Sequence, residues 1–208
     1  MSSYTLSDCA ADLVVSRETE DRFRVLGDHL AKWNERINLV SKTTLDDMWR
    51  RHFLDSGQLA AFIPSTARSL ADLGSGAGFP GLVLAAMTEL DIHLIESDTR
   101  KAVFLREGAR LIGRHITVHQ KRIESLQGLA VDVVTARALA PIEKLLEYAE
   151  PLIKKDGIAL FLKGNTLQTE LTDSKKSWHI ESTQSRSRSD SSGCILKVEA
   201  FSRVEHRK

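Results

Sequence analysis

The densest concentration of glycine in the chain is the run Asp72-Leu73-Gly74-Ser75-Gly76-Ala77-Gly78-Phe79-Pro80-Gly81. It follows a short apolar segment and precedes a helical pattern, so it reads as a turn from strand to helix. Glycines let the backbone turn tightly and approach a ligand with no Cβ in the way, and Pro80 suits the first turn of the helix that follows. Glu96 stands about twenty residues further on, at the expected end of the next strand, where a carboxylate can accept hydrogen bonds from both hydroxyls of a ribose. Loop and carboxylate together imply an adenosine-bearing ligand. Gly76, Gly78 and Gly81 also satisfy the pattern of dinucleotide enzymes, so the glycines alone leave an NAD(P)-dependent oxidoreductase open. Asp72 argues the other way. A carboxylate directly ahead of the first glycine opposes a pyrophosphate, whereas S-adenosylmethionine carries an ammonium and a sulfonium and no phosphate.

Other residues are placed for binding more than for nucleophilic chemistry. His52, Asp55 and Ser56 fall on one face of an expected helix, but a relay of nucleophile and base is normally assembled from separate segments, so this is not read as a triad. Arg137 follows a strand toward the same pocket, with a buried ion pair to Glu96 or Asp72 as its structural alternative. Lys163 also ends a strand and is a candidate for RNA phosphate. Asn34 and Asn38 share a helix face, and a structural role is preferred for them. Trp33 is read as core. Arg50, Arg51, Arg100, Lys101, Lys121 and Arg122 lie near strand ends or the helices after them, where they could gather into one basic, salt-sensitive face.

The elements that must position these groups follow from periodicity. From Thr19 to about Val40, Phe23, Leu26, Leu30, Trp33 and Ile37 recur at helical spacing. A second helix is expected from Thr44, with Asp47 completing a capping box, and should stop before Pro64. Beyond Ser65, short apolar runs alternate with helical patterns. Strands are expected at Ser69–Leu73, His93–Glu96, Ile116–His119, Val131–Thr135 and Ile158–Leu162, with helices from near Pro80, Arg100 and Pro141 and a short turn at Ile123–Leu126. Two more strands, Trp178–Glu181 and Cys194–Phe201, flank the Ser/Arg-rich stretch Ser182–Gly193. That stretch is read as a hairpin loop, the sharper alternative being an RNA-contacting arm with Arg186 and Arg188. The sum is an α/β chain with a mainly parallel, doubly wound, seven-stranded sheet, divided into a helical extension over 1–64 and the α/β domain over 65–208.

Composition bounds the setting. With 208 residues, 42% apolar and 27% charged, the chain has the makings of one main core, and its formal net charge of +1 leaves the choice of partner to local distribution. Cys9 and Cys194 have no closely spaced second cysteine, so neither a zinc knuckle nor a redox pair is expected and a reducing, cytoplasmic setting is. The longest uncharged apolar stretch, Phe79 to Met87, is too short to span a bilayer.

Taken together, Trp33-Asn34 with Asn38-Leu39, Arg51-His52 with Asp55-Ser56, the glycine run, Glu96-Ser97 with Lys101 and Phe104-Leu105, Arg122-Ile123-Glu124, Thr135-Ala136-Arg137-Ala138 and Lys163-Gly164 resemble, in order, the RsmG (GidB) family of small-subunit ribosomal RNA guanine-N7 methyltransferases. The resemblance implies a Rossmann-like class I methyltransferase fold that uses S-adenosylmethionine and acts on N7 of a guanine in 16S ribosomal RNA or the small ribosomal subunit, with no metal and no membrane. By position it implies that Asp72, Gly74, Gly76, Gly78 and Phe79 hold the donor, that Glu96 takes its ribose and that Ile123 and Glu124 flank its adenine. Arg137 would lie by the reacting end, with His52 and Asp55 as positioning groups and Arg51, Lys101, Arg122 and Lys163 toward RNA. A noncatalytic RNA-binding assembly factor on the same fold is the remaining alternative. Beyond Gly164 the resemblance carries no signature.

Overall fold

The computed structural model describes residues 4–205. Helix α1 (Leu6–Leu13) opens on Thr5, whose side chain and that of Asp8 cap each other's backbone N–H. Helix α2 (Arg17–Asn34) is capped by Ser16 and buries Phe23, Leu26 and Leu30 on the stripe read from the sequence. It ends six residues before Val40. The Asn34 side-chain oxygen accepts the N–H groups of Leu39 and Val40, both at 3.0 Å, and folds the chain back on itself. That favours the structural reading of Asn34, and Trp33 is partly buried, donating its indole N–H to Glu107 at 3.0 Å.

The second expected helix is not one helix, and its cap is Ser41 instead of Thr44. Ser41 caps the single turn α3 (Lys42–Leu45), after which come a wide π-helical turn (Trp49–Leu54), α4 (Asp55–Gly57) and a tight 3-10 turn (Gln58–Phe62). The extra residue in a π turn changes which side chains share a face, a device found often at functional sites. Three aromatic residues hold this segment down. Phe53 is fully buried, with the Phe23 and Phe79 rings edge-on at 5.3 and 5.5 Å. Truncating it to Ala would cost about 3–5 kcal/mol. These helices share one continuous core with Leu70 and Ile92 of the sheet and Leu84 of the helix after the glycine loop.

The sheet strands are β1 (Ser69–Leu73), β2 (Asp91–Ile95), β3 (Ile116–His119), β4 (Val131–Arg137), β5 (Ile153–Lys163), β6 (Trp178–Arg186) and β7 (Cys194–Arg203). Their order is β3-β2-β1-β4-β5-β7-β6, the first five parallel and β7 antiparallel to both neighbours. Helices α5 (Gly81–Met87), α6 (Thr99–Leu111), α7 (Ile142–Ala149) and α8 (Leu167–Ser174) connect them, with a 3-10 turn at Ile123–Ser125. All seven strands stand where the periodicity put them. The differences are at ends: β5 starts at Ile153, and β6 runs to Arg186, leaving a connection of only 187–193.

Strand order reverses between β1 and β4, so a crevice opens beyond their carboxyl ends at Leu73 and Arg137. The amino ends are tied shut instead. Asp132 accepts Arg68 N–H and both the N–H and hydroxyl of Ser69, each at 2.9 Å, and pairs with Lys154 at 2.8 Å. The Lys154 ammonium beside it holds its carboxyl well below the usual range.

Candidate active site

Two cavities that share Ala138 lie at the carboxyl end of the sheet. One, of about 310 Å³, is walled by Gly74, Gly76, Glu96, Ile123, Glu124 and Tyr148, with Lys101, Lys121 and Arg122 on its border. The other, of about 550 Å³, is bordered by Arg51, His52, Asp55, Arg137 and Lys163 and by residues of the β6–β7 connection.

The first cavity is built from backbone. Gly74, Gly76 and Gly78 have φ of +62°, +52° and +82°, the left-handed region in which a side chain is strained. Around Gly76 there is room, since a Cβ there would come no nearer than 3.6 Å to the Gly74 carbonyl oxygen. Glu96 is locked from below: one carboxylate oxygen accepts Gly76 N–H at 2.9 Å and the other Asp98 N–H at 2.7 Å. Each oxygen keeps a lone pair for a further donor. This cradle fits an adenosine, with vicinal ribose hydroxyls on Glu96 and a planar base beside Ile123. Glu124 is exposed and accepts the Tyr148 hydroxyl at 3.0 Å, so Tyr148 joins this wall.

Asp72 is not at the mouth, as the sequence suggested, but beneath the loop. It is fully buried, with Thr135 donating to one oxygen at 3.0 Å and Gly81 N–H to the other at 3.3 Å. A side chain on Gly81 would strike Asp72 and Leu94, which is why the chain can close over the carboxylate only at a glycine. Burial is the main influence on Asp72 and pushes its carboxyl up to about 6, against the lowering effect of its hydrogen bonds and of Arg137. Its carboxylate lies under the loop and walls neither cavity. Gly78 likewise faces inward, where a Cβ would collide with Leu82.

The second cavity is built from side chains. Arg137 is a partly buried cation held on several sides: it donates to the Arg51 carbonyl at 3.2 Å and to His52 Nδ1 at 3.0 Å, lies 3.6 Å from Asp55 Oδ2, and sits 4.9 Å over the Phe79 ring. Its ion-pair partner is therefore Asp55, not the Glu96 or Asp72 considered from sequence. Because a guanidinium only donates, His52 Nδ1 must accept and Nε2 must carry the proton. The His52 ring also stacks on Phe79 at 4.9 Å and 18°. Burial first, and then Arg137 and Arg51, push the imidazole down to about 3. The imidazole is therefore neutral at ordinary pH.

Lys163 requires a correction. Its ammonium meets Glu170 at 2.6 Å and the Ala140 carbonyl at 3.1 Å in a largely buried pair that fixes α8, so it is committed within the fold and not offered to phosphate. Arg51 pairs with Asp190 at 2.6 Å. Lys101, Lys121 and Arg122 have no ion-pair partner among the described residues. Arg100 and Lys101 also border a third cavity with Arg36 and Asn38, which shares Lys101 with the first. The sequence reading missed Gln58, three residues from Asp55, and Ser187, Ser189 and Asp190, which meet Asp55 and Arg51 from the far end of the chain. Arg188 is not a free arm: it reaches the Asp12 carbonyl at 2.9 Å.

Among the described residues no three His, Cys, Asp or Glu side chains group as metal ligands, and no helix is long and apolar enough to cross a membrane.

Comparison with known proteins agrees with this geometry. The family model described as rRNA small subunit methyltransferase G matches residues 20–193. The chain is 51% identical over 189 residues to the ribosomal RNA small subunit methyltransferase G of Rhodospirillum rubrum, covering 91% of this chain and 94% of that one. It is 52% identical over 189 residues to that of Paramagnetospirillum magneticum, covering 91% and 92%. Among solved structures it is similar to the ribosomal protein L11 methylase of Lactobacillus delbrueckii subsp. bulgaricus, with TM-score 0.58, 15% identity and 80% and 81% of the two chains covered. The TYW2 structure of M. jannaschii in complex with AdoMet gives TM-score 0.56 at 14% identity, covering 82% and 80%. At such identities these two bear on the fold alone.

Proposed function

The chain belongs to the rRNA small subunit methyltransferase G family, and from that premise we propose that its two joined cavities divide one methyl transfer between them. It is an S-adenosylmethionine-dependent methyltransferase of small-subunit ribosomal RNA. The smaller cavity holds the donor and the larger receives a guanine, with N7 as the acceptor atom. The single observation that carries this division is the end of β4, where Arg137 borders the larger cavity and the next residue, Ala138, borders both.

S-adenosylmethionine, when bound, supplies a methyl group made electrophilic by a sulfonium. Glu96 would hold its ribose, Gly74 and Gly76 would give its backbone approach, and Ile123 and Glu124 would flank its adenine. The protein's remaining work is placement. Guanine N7 offers an in-plane lone pair, so no proton must leave before it reacts. His52, with Nε2 protonated and Nδ1 engaged by Arg137, is in the wrong state to take a proton and is not asked to. Arg137 is fixed by three groups and a ring face before substrate arrives, which is the preorganisation that orientation requires. Transfer to N7 leaves the base cationic, and Asp55 puts a negative charge in the cavity where that charge appears.

Arg51, Lys101 and Arg122 border the cavities and would meet RNA phosphate. Residues 1–64 act as an addition to the methyltransferase domain of 65–208, supplying Arg51, His52 and Asp55. The cytoplasm, where the small subunit resides, is the site of action.

Mass mapping of the product nucleotide tests the reading. Unmodified small subunits incubated with donor should yield one 7-methylguanine in the small-subunit RNA. A folded sample that methylates another atom, or no small-subunit RNA, would overturn it.

A further inference from the structure

The tip of the β6–β7 hairpin carries none of the short motifs read from the sequence, yet it closes one side of the larger cavity through Ser189, Asp190, Ser192 and Gly193. Its contacts converge on a single oxygen. Asp55 Oδ1 accepts the Ser189 hydroxyl at 2.6 Å, the Gln58 amide at 3.1 Å and the Ser187 hydroxyl at 3.2 Å. Gln58 also donates to Ser187 Oγ at 3.0 Å and accepts Arg188 N–H at 2.9 Å, so the tip and the 49–62 segment are pinned to each other. Ser189 is itself buried.

The other oxygen is left open. Asp55 Oδ2 makes no hydrogen bond, its nearest cation being Arg137 at 3.6 Å. Among the described residues the only buried side-chain atoms without a partner are His52 Nε2 and Ser56 Oγ. Asp55 Oδ2 is not one of them, and Asp55 borders the larger cavity. A carboxylate whose first oxygen already takes three donors, in a residue that borders a base-sized cavity, keeps its second oxygen as the acceptor for N–H donors. Guanine carries such donors, N1–H and the N2 amine, on the edge remote from N7, where holding them leaves N7 free. Adenine has an acceptor at N1 and no amine at C2, so the same oxygen would repel it.

We infer that Asp55 reads the donor edge of the target guanine through Oδ2, and that Ser189, with Ser187, is a positioning residue that presents that oxygen. This rests on the reading of the larger cavity as the guanine site. Asp190 belongs to the same device, since its bond to Arg51 fixes the tip from the other side.

The test uses the full chain and small subunits reconstituted with guanine, inosine (no N2 amine) or 2-aminopurine (no N1–H) at the target position, all of which keep N7. The wild-type single-turnover rate should fall about tenfold to a hundredfold on at least one analogue, as a buried acceptor left unpaired would require. In Ser189→Ala the guanine rate should fall and the discrimination ratio shrink by about threefold or more, while calorimetry gives unchanged donor affinity; Ser189→Thr, which keeps the hydroxyl, should restore both. Equal wild-type rates on all three bases would overturn the inference. So would a Ser189→Ala protein that keeps the full ratio. Asp55→Asn gives a second reading, since its ratio should approach one whatever happens to the absolute rate. Failure on the guanine substrate itself would strike the functional reading beneath, which makes the two failures distinguishable.

Discussion

Replacing Asp72 with Asn keeps the side chain's shape and removes a charge that the fold has taken fully out of water. Burial raises this carboxyl from 3.8 to about 6. Between those values the folded chain binds a proton that the unfolded chain does not, so stability falls as pH rises through the window and is constant above it. Going from about pH 5 to about pH 7.5, the folded state gives up roughly one proton's worth of linkage, about 1.4 kcal/mol. Asn at this position is spared that loss. Against the gain, its amide would present an N–H where Oδ2 now accepts Gly81 N–H at 3.3 Å, forfeiting a bond worth about 1 kcal/mol, while the Thr135 bond survives. The stability difference between Asp72→Asn and wild type, measured by urea unfolding at the two pH values, should shift by about 1.4 kcal/mol toward the variant at the higher pH. The same variant should bind the methyl donor at least about tenfold more weakly in calorimetry, because the anion beneath the loop, opposite in sign to the ligand above it, is gone. A difference that stays constant with pH would refute the buried-anion argument. Undiminished donor affinity would refute the claim that the charge serves binding.

Gly76→Ala places a Cβ in open space at positive φ, so it should cost only about 1–2 kcal/mol of stability yet abolish detectable donor binding by filling the cradle. Calorimetry beside thermal unfolding separates the two effects. His52 is pushed down from 6.5 to about 3; below its ordinary value the unfolded chain takes the proton first, so stability drops as pH falls through that window, and His52→Gln should show a shallower acid limb between about pH 6 and pH 4 in denaturant titrations. For the same reason the single-turnover rate should change little from about pH 6 to pH 8.5, and a log-linear rise there would mean a base is at work. Lys163→Ala should destabilise by about 3 kcal/mol through the orphaned Glu170 and leave the salt slope of subunit binding unchanged, whereas Arg122→Ala should spare stability and lower that slope by about 0.7.

The parts of this site written in short stretches were legible before the fold was. The strands, the glycine loop and Glu96 are local signals, and each stands where its spacing put it, although several strands run past the bounds read for them. What escaped depended on packing between distant segments. That Asp72 lies under the loop follows from Gly81 closing over it, which composition cannot announce. Within the π turn at Trp49–Leu54, Phe53 meets both Phe23 and Phe79, and helical periodicity alone reads the same residues as a regular helix. Ser187, Ser189 and Asp190 carry no motif and meet partners 132, 134 and 139 residues away. Lys163 was misread although Glu170 lies seven residues on, because a strand and a helix had to be placed before the two could be seen to face each other.

The two cavities are made of different material, and this decides how each can fail. The donor side is glycine backbone at the ends of parallel strands, with Glu96 locked by two backbone N–H groups. Few side-chain substitutions reach it, and those at the glycines strike it directly. The acceptor side is a chain of side chains in which each fixes the next: Ser189 holds Asp55, which faces Arg137, which sets the His52 tautomer. Its members come from the π turn, from the end of β4 and from the β6–β7 tip, so it forms only once both ends of the sequence have packed against the sheet. Loosening the tip should therefore damage base selection before it damages donor binding, and loosening the glycine loop should do the reverse. The divided construction lets one half of the site vary in what it accepts while the other keeps the donor that it holds.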